Sequence, residues 1–495
     1  MSDIVQTQYG PVRGVRSQGI TVWRGIPFAG PTAGAGRFLP PQPPRPWTEV
    51  LDATQFGPAG WQVKARDILK FGSVPDLQQS EDCLTLNVWS PKADGRRRPV
   101  LVWVYGGSFV MGGGRLPVYS GASFAGLGDI VVVTFNYRPG PFGFLYLGDI
   151  GGNAYSTSGN VGLLDQIAAL QWVRQNIDAF GGDPDRVTIA GESAGAISVS
   201  ALLTMPDASG LFHRAIMQSG VGLLPPIGVD ARVRTRQIFL DRLGIHDDVL
   251  EQLRSRPAEE LHQQSVGLPW VPMLDSASVA KPFWSALAAG ALPRIPMLVG
   301  CNHHEFRYFM ESEWQALDPP VMQARFNQTL AGPVDSRVVD AYCGQAKGRD
   351  LYFGLARIGT DKLFTAPTHI FAGIQSPRSP VWAYRFDWKS RVEDLELGAC
   401  HALEVPFVFN TLHAPGVHDF TGYSSDQPSV AGQMHRAWIR FVRDGNPQIA
   451  DMPPWPAYSL QKRETMLISG ESLLAFDPDR FAREYWEPFF MSSAG

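Results

Sequence analysis

One short segment constrains this chain more than any other part of it. Residues 187–199 read VTIAGESAGAISV, so Ser193 lies between two glycines, Gly191 and Gly195, in the pattern G-x-S-x-G. A β-branched apolar run ends at the first glycine, and apolar residues at helical spacing follow the second. This order predicts a strand, a sharp turn and a helix, with Ser193 in the turn.

Small residues around Ser193 are what such a turn requires. The turn forces its central residue towards positive φ, and bulky side chains two positions away would collide with the neighbouring strand and helix. It also lifts the hydroxyl clear of the backbone, towards the amide N–H groups that begin the helix. We therefore interpret Ser193 as a candidate nucleophile. A chance match in a chain with 51 glycines is the alternative.

Other apolar runs predict a parallel sheet around this turn. They lack polar alternation, which is typical of strands buried on both faces. These runs begin at Pro99, Ile130, Arg186, Ala215 and Pro296. Between two of them, apolar residues three or four positions apart over 163–177 predict an amphipathic helix. The order of strand, helix and strand indicates the α/β class, with a large, mostly parallel central sheet flanked by helices.

The same reading predicts the organisation of the chain. We expect one domain over residues 1–495, without repeats or long linkers. Segments at about 221–290 and 311–379 are mostly helical in pattern, and we expect them to be insertions that cover the edge of the sheet where the site lies.

Composition and charge exclude several classes of partner. The chain is 44% hydrophobic, enough for a large core, and its formal net charge is −4 with both signs interspersed. It therefore lacks the basic stripe that binds nucleic acid. We find no signal-peptide pattern, lipidation motif or membrane-length apolar run. The four cysteines are few and far apart, as expected for reduced thiols in a cytoplasmic protein.

A serine nucleophile needs a base and an acid to activate it. A free hydroxyl reacts poorly, so the fold must supply a histidine and a carboxylate, both after the serine in the chain. Among ten histidines, His401 stands out in GACHALEVPFVF, after a turn-like run of small residues. Glu305 follows the apolar run PMLVGCN, at the carboxyl edge of a predicted strand, where catalytic groups gather in open α/β sheets.

Several longer segments occur in the order found in a known family. They include SEDCLTLNVWSP, VLVWVYGGSFVMGG, VVVTFNYRPGPFGF, LVGCNHHEF and CHALEVPFVF, besides the segment around Ser193. On these segments the chain resembles the type-B carboxylesterases, the carboxylesterase and cholinesterase family of α/β hydrolases, and in particular its bacterial para-nitrobenzyl-esterase-like members. The resemblance implies the α/β-hydrolase fold and a serine carboxylesterase that hydrolyses small-molecule esters without a cofactor.

The resemblance also implies a role for each candidate residue. Ser193 would be the nucleophile, His401 the general base and then acid, and Glu305 the carboxylate that orients the imidazole. The oxyanion hole would consist of the backbone N–H groups of Gly107, Ser108 and Ala194. Neighbours that support the site without reacting would be Gly106, Glu192 and Ser219. For the last two, an ordinary buried polar position is the alternative.

Three features depart from the family pattern. Tyr105 stands where many bacterial relatives have histidine, and Ser108 stands where glycine or alanine is usual. Because the hole donates through backbone N–H groups, we expect it to survive. Cys83 lacks the cysteine with which it would pair in the family, so we expect a free thiol. His303 and His304 replace smaller, more acidic residues, but a zinc site needs three or four converging ligands, and we expect no metal.

The substrate and the partners stay open at this stage. The same triad serves an aryl carbamate, amide or polyester-fragment hydrolase, and a remote alternative is a catalytically inactive adhesion or scaffold member. Five tryptophans indicate either a pocket for aryl groups or ordinary packing. They are Trp23, Trp61, Trp89, Trp270 and Trp284. We expect a monomer or weak homodimer that binds neither nucleic acid nor membrane.

Overall fold

The computed structural model describes residues 3–63, 77–223, 227–275, 277–330, 332–392 and 396–492. The strands are β1 Ile4–Gln6, β2 Pro11–Arg13, β3 Val15–Ser17, β4 Ile20–Pro27, β5 Leu51–Asp52, β6 Thr85–Ser90, β7 Arg98–Val104, β8 Val131–Phe135, β9 Gly182–Glu192, β10 Arg214–Gln218, β11 Met297–Asn302, β12 Val381–Phe386, β13 Glu464–Ile468 and β14 Leu473–Phe476.

The α-helices lie between and after these strands. They are α1 Ala122–Gly128, α2 Gly140–Phe144, α3 Gly148–Gly151, α4 Val161–Asn176, α5 Ala194–Leu202, α6 Val229–Leu243, α7 Val249–Ser255, α8 Ala258–Ser265, α9 Phe283–Ala288, α10 Pro319–Thr329, α11 Ser336–Cys343, α12 Gly348–Thr360, α13 Ala366–Gln375, α14 Val405–Val408, α15 Val417–Thr421, α16 Gln427–Asp444 and α17 Arg480–Ser492. No helix within the described ranges combines the length and the apolar content needed to cross a membrane.

Most of the strands belong to one large sheet. Among the described residues its order is β14-β13-β12-β11-β10-β9-β7-β8-β6-β4-β3, and a small sheet β1-β2-β5 lies apart from it. Neighbours from β8 to β13 pair in parallel, whereas β14, β6, β4 and β3 pair antiparallel. Helices pack against the sheet, among them α1, α5, α13 and α16. The predicted large, mostly parallel sheet flanked by helices is therefore confirmed.

The apolar runs of the sequence form the interior strands. Every residue of β7, β8 and β11 is buried, as expected for strands covered on both faces. The strand before Ser193 begins earlier than its apolar run, at Gly182, because the preceding GGDPDR segment already pairs irregularly with β7.

Helix α4 is amphipathic, as its spacing predicts: its exposed residues Gln171, Arg174 and Gln175 lie on one face. The buried face nevertheless also contains polar residues, which are paired inside the protein. Asp165 binds the Arg138 guanidinium at 2.6 Å, and Gln166 donates to the Ser198 hydroxyl at 3.0 Å. These internal bonds allow polar residues on the buried face, so Asp165 and Gln166 do not mark the surface of the helix.

The order of the strands determines where a site can form. β7 has β8 on one side and β9 on the other. The chain therefore runs from β7 to one neighbour, β8, and then crosses over to the other neighbour, β9. In open parallel sheets such a switch point creates a crevice at the carboxyl ends of the strands. Here the loop after β7 and the turn after β9 both open into that crevice, and they contain Gly107 and Ser193.

The two segments predicted as insertions are rich in helix. Residues 221–290 contain α6 to α9, and residues 311–379 contain α10 to α13. A π-helical turn, Asp361–Thr365, joins α12 to α13, and the Phe364 ring from this turn lies 5.0 Å from the His401 ring. The division into one domain with two insertions stays a prediction.

Candidate active site

Ser193 occupies the sharp turn between β9 and α5. Its backbone has φ 55° and ψ −124°, which an L-residue adopts only under constraint. A Cβ added to Gly195 would lie 2.0 Å from the Val104 carbonyl oxygen, and one added to Gly191 would lie 2.4 Å from the Gly195 carbonyl carbon. The turn therefore has no room for side chains at the two glycines, which confirms the reason inferred for them.

The structure brings Ser193, His401 and Glu305 together from three separate parts of the chain. The Ser193 Oγ lies 2.8 Å from His401 Nε2, and His401 Nδ1 lies 2.7 Å from Glu305 Oε2. The other carboxylate oxygen of Glu305 accepts the backbone N–H of Asn302 at 2.7 Å. Glu305 is fully buried, so its orientation is fixed by these two hydrogen bonds rather than by water.

A second carboxylate faces the same imidazole. Glu192 Oε1 lies 3.2 Å from His401 Nε2. Burial above all raises the pKa of Glu192 to about 8, although His401 opposes the rise. Burial alone would lower the pKa of His401, but the carboxylates of Glu192 and Glu305 outweigh it and raise the pKa to about 9. The charge state of each group therefore depends on that of the other.

The loop after β7 presents backbone N–H groups to the crevice. Gly107 and Ser108 have φ 120° and 54°, and the Gly107 carbonyl accepts the N–H of Val110 at 3.0 Å, which closes a turn. Within the described part of the chain, no acceptor pairs with the N–H groups of Gly107 or Ser108. Ala194 begins α5, so its N–H has no intrahelical acceptor either.

The remaining predicted residues lie around this centre. A Cβ on Gly106 would lie 2.7 Å from Glu192 Oε2, so glycine allows the two segments to approach closely. Ser219 has φ 54°, and its N–H donates to Gly300 at 2.8 Å. Its hydroxyl is buried and forms no hydrogen bond with any described residue. Tyr105 is stacked on Tyr137 with ring centroids 4.5 Å apart.

Comparison with known proteins identifies the family. The pattern of the Carboxylesterase family matches residues 1–476. The chain belongs to the carboxylesterase family. It is 38% identical to the para-nitrobenzyl esterase of Bacillus subtilis over 492 residues, which cover 97% of this chain and 98% of that protein. It is 36% identical to the phenmedipham hydrolase of Pseudarthrobacter oxydans over 491 residues, covering 94% and 95% of the two chains.

Solved structures agree with the sequence relatives. The Geobacillus stearothermophilus carboxylesterase EST55 has a TM-score of 0.88 and 41% identity, with 98% of this chain and 99% of that chain covered. A PNB esterase structure has a TM-score of 0.85 and 38% identity at the same coverage. The α/β-hydrolase fold is therefore established, and this chain is a carboxylic ester hydrolase of the carboxylesterase family.

The crevice of this carboxylesterase opens into a cavity of about 380 Å³. Its walls are mainly apolar and aromatic; besides the loop after β7, they include Leu116, Val118, Tyr119, Tyr308, Phe309, Met310, Val405 and Val417. None of the five tryptophans noted in the sequence lines the described walls of this cavity. Trp270 instead lines a second, mostly apolar cavity of about 360 Å³, which Ser108 also borders.

The cysteines and the adjacent His303 and His304 are the residues that could form disulfides or bind a metal. All four cysteines lie within described ranges and carry free thiols, as expected for Cys83. The rings of His303 and His304 stack 4.3 Å apart. Among the described residues, no group of three or more histidine, cysteine, aspartate or glutamate side chains could hold a metal ion.

Sequence reasoning missed a third buried carboxylate next to the site. Glu404 accepts hydrogen bonds from Gln218 Nε2 at 2.9 Å and from Asn302 Nδ2 at 2.6 Å, and burial raises its pKa. The Trp438 indole donates to Gln218 at 2.9 Å and completes the network. The only signal in the sequence is that an acidic residue stands three positions after His401. On a helical turn, residues three positions apart lie on the same side.

Proposed function

We propose that this protein is a serine carboxylesterase that works through an acyl-enzyme on Ser193. The observation that carries the proposal is the continuous hydrogen-bonded path from Ser193 Oγ through His401 to Glu305. Such a path lets the histidine remove the serine proton while a fixed carboxylate stabilises the resulting imidazolium.

In the first half-reaction, Ser193 Oγ attacks the ester carbonyl carbon as its proton moves to His401 Nε2. The carbonyl oxygen becomes an oxyanion, which accepts hydrogen bonds from the backbone N–H groups of Gly107, Ser108 and Ala194. Each such donor is worth about 3 kcal/mol in transition-state stabilisation. The tetrahedral intermediate then collapses, the bond to the alcohol oxygen breaks, and His401 returns the proton to the departing alkoxide.

In the second half-reaction, water replaces the alcohol. His401 Nε2 takes a proton from this water as the water oxygen attacks the acyl carbon. The bond between the acyl carbon and Ser193 Oγ then breaks, His401 returns the proton to Oγ, and the carboxylic acid leaves. Glu305 accepts a hydrogen bond from His401 Nδ1 throughout both half-reactions. The Asn302 N–H on its other oxygen prevents the carboxylate from rotating away.

We propose small esters with an apolar group as substrates, because the walls of the cavity are mainly apolar and aromatic. A carbamate, amide or polyester-fragment hydrolase remains the second candidate. Relatives at 36% and 34% identity are named for phenmedipham and for fumonisin B1, so members with similar sequences are named for different substrates. We expect the reaction to need no metal or cofactor and the protein to act as a monomer or weak homodimer in the cytoplasm.

The test is the hydrolysis of p-nitrophenyl esters from acetate to decanoate by the wild type and by Ser193→Ala. We expect the variant to fold normally and to lose about five to six orders of magnitude in kcat. A fluorophosphonate probe should label the wild type and the exposed-serine control Ser209→Ala, but not Ser193→Ala. Near-native activity in Ser193→Ala refutes the nucleophile, and a folded but unlabelled wild type favours a binding or scaffold role.

A further inference from the structure

The paired histidines have no part in the reaction described above, yet one of them contacts the loop that carries the base. His304 directly precedes Glu305, and Ala399 lies two residues before His401. The backbone N–H of His304 donates to the Ala399 carbonyl at 2.8 Å. The backbone N–H of Ala399 donates in return to His304 Nδ1 at 3.1 Å. The two residues are therefore joined by a reciprocal pair of hydrogen bonds.

These two hydrogen bonds join the segment that contains Glu305 to the segment that contains His401. Next to them, the His401 N–H donates to the Glu305 carbonyl at 3.3 Å. Ala399 is fully buried, so its N–H needs a protein acceptor, and the imidazole nitrogen is the acceptor that the structure provides. Without Nδ1, the loop would have to shift to satisfy this N–H, and His401 would move with it.

The role demands a neutral imidazole with a lone pair on Nδ1. Burial, helped by the positive charge of Arg307, lowers the pKa of His304 to about 2. The ring is thus neutral throughout the pH range in which an esterase is assayed. Its proton then belongs on Nε2, because Nδ1 accepts a hydrogen bond.

We propose that His304 is a positioning residue. By accepting a hydrogen bond from the Ala399 N–H at Nδ1, it fixes the loop that contains His401 in its position relative to Glu305. The proposal rests on the function proposed for Ser193, His401 and Glu305.

Three variants test the proposal by steady-state kinetics on p-nitrophenyl acetate. His304→Phe keeps a ring that can stack on His303 but removes the acceptor. We expect kcat to fall about ten-fold or more because the base is displaced. KM should stay within about two-fold of the wild type because the cavity keeps its shape. His304→Asn places Oδ1 where Nδ1 lies, and we expect it to restore kcat to within about three-fold of the wild type. His303→Phe, the matched control, should keep the wild-type kcat.

The outcomes separate this proposal from the one on which it rests. A kcat of His304→Phe equal to that of the wild type overturns the positioning role, and so does a His304→Asn variant that is slow or unfolded. If His304→Phe does not fold while His304→Asn folds and turns over normally, the acceptor is still the property that matters. Ser193→Ala is assayed alongside: activity in that variant refutes the proposed function, whatever the histidine variants do.

Discussion

Replacing Glu192 by glutamine should extend the activity of this esterase to lower pH. The proposed mechanism needs His401 in its neutral form, and an ionised Glu192 favours the protonated form. Since the pKa of His401 is raised, the wild type loses activity as the pH falls through that raised value. Glutamine keeps the size of the side chain but cannot carry the charge. The imidazole of Glu192→Gln therefore stays neutral, and competent as a base, to a lower pH.

The size of the shift follows from the geometry. Glu192 Oε1 and His401 Nε2 lie 3.2 Å apart. At this separation two unit charges interact by about 1.3 kcal/mol even with the dielectric constant of water, and by more in a partly dry site. Because about 1.4 kcal/mol corresponds to one pKa unit, the acid limb of the kcat/KM profile should move down by about one unit or more.

The assay is the pH dependence of kcat/KM for p-nitrophenyl acetate, measured with the wild type, Glu192→Gln and Glu311→Gln. Glu311 lines the same cavity, but its side chain is 67% exposed, so solvent screens its charge and the control should keep the wild-type profile. An acid limb that stays in place, or moves to higher pH, in Glu192→Gln would show that Glu192 does not set the basicity of His401.

Two further substitutions test other parts of the structure. Ser108→Gly should keep activity on p-nitrophenyl acetate within about three-fold, because the proposed oxyanion donor is a backbone N–H. It should also stabilise the fold by about 0.5 to 1 kcal/mol, because glycine adopts the positive φ without strain. A variant that is less stable than the wild type in urea denaturation contradicts this. Asp165→Asn should cost about 3 to 5 kcal/mol in unfolding free energy, because it leaves the buried Arg138 guanidinium without its carboxylate. A loss below about 1 kcal/mol would mean that the pair contributes little.

The local parts of this architecture could be predicted from the sequence. The turn at Ser193 is encoded by neighbours within a few residues, and each interior strand is a continuous apolar run. Such features depend on short-range sterics and on burial, which leave a readable pattern. His401 and Glu305 can be proposed from the sequence because the chemistry of the serine requires partners of those types after it in the chain; their catalytic roles stay a prediction.

The parts that were missed depend on contacts between distant segments. Glu404, Gln218 and Trp438 form one hydrogen-bonded network, yet no local pattern connects them. The aromatic rings nearest His401 are Phe364 and Phe309, with centroids 5.0 and 5.1 Å from the imidazole. None of the tryptophans named from the sequence lines the described walls of the cavity. The buried face of helix α4 can contain Asp165 because Arg138, from another segment, pairs with this aspartate.

The three carboxylates around His401 differ in how many donors each one has, and this difference separates their roles. Glu305 accepts hydrogen bonds from Asn302 and from His401, so each of its oxygens has a donor. Glu404 accepts hydrogen bonds from two side-chain amides, so each of its oxygens has a donor other than the imidazole. In contrast, Oε1 of Glu192 has no hydrogen-bond partner among the described residues and lies against His401. We therefore expect the charge of His401 to depend more on Glu192 than on Glu404, and Glu404→Gln should shift the pH profile less than Glu192→Gln.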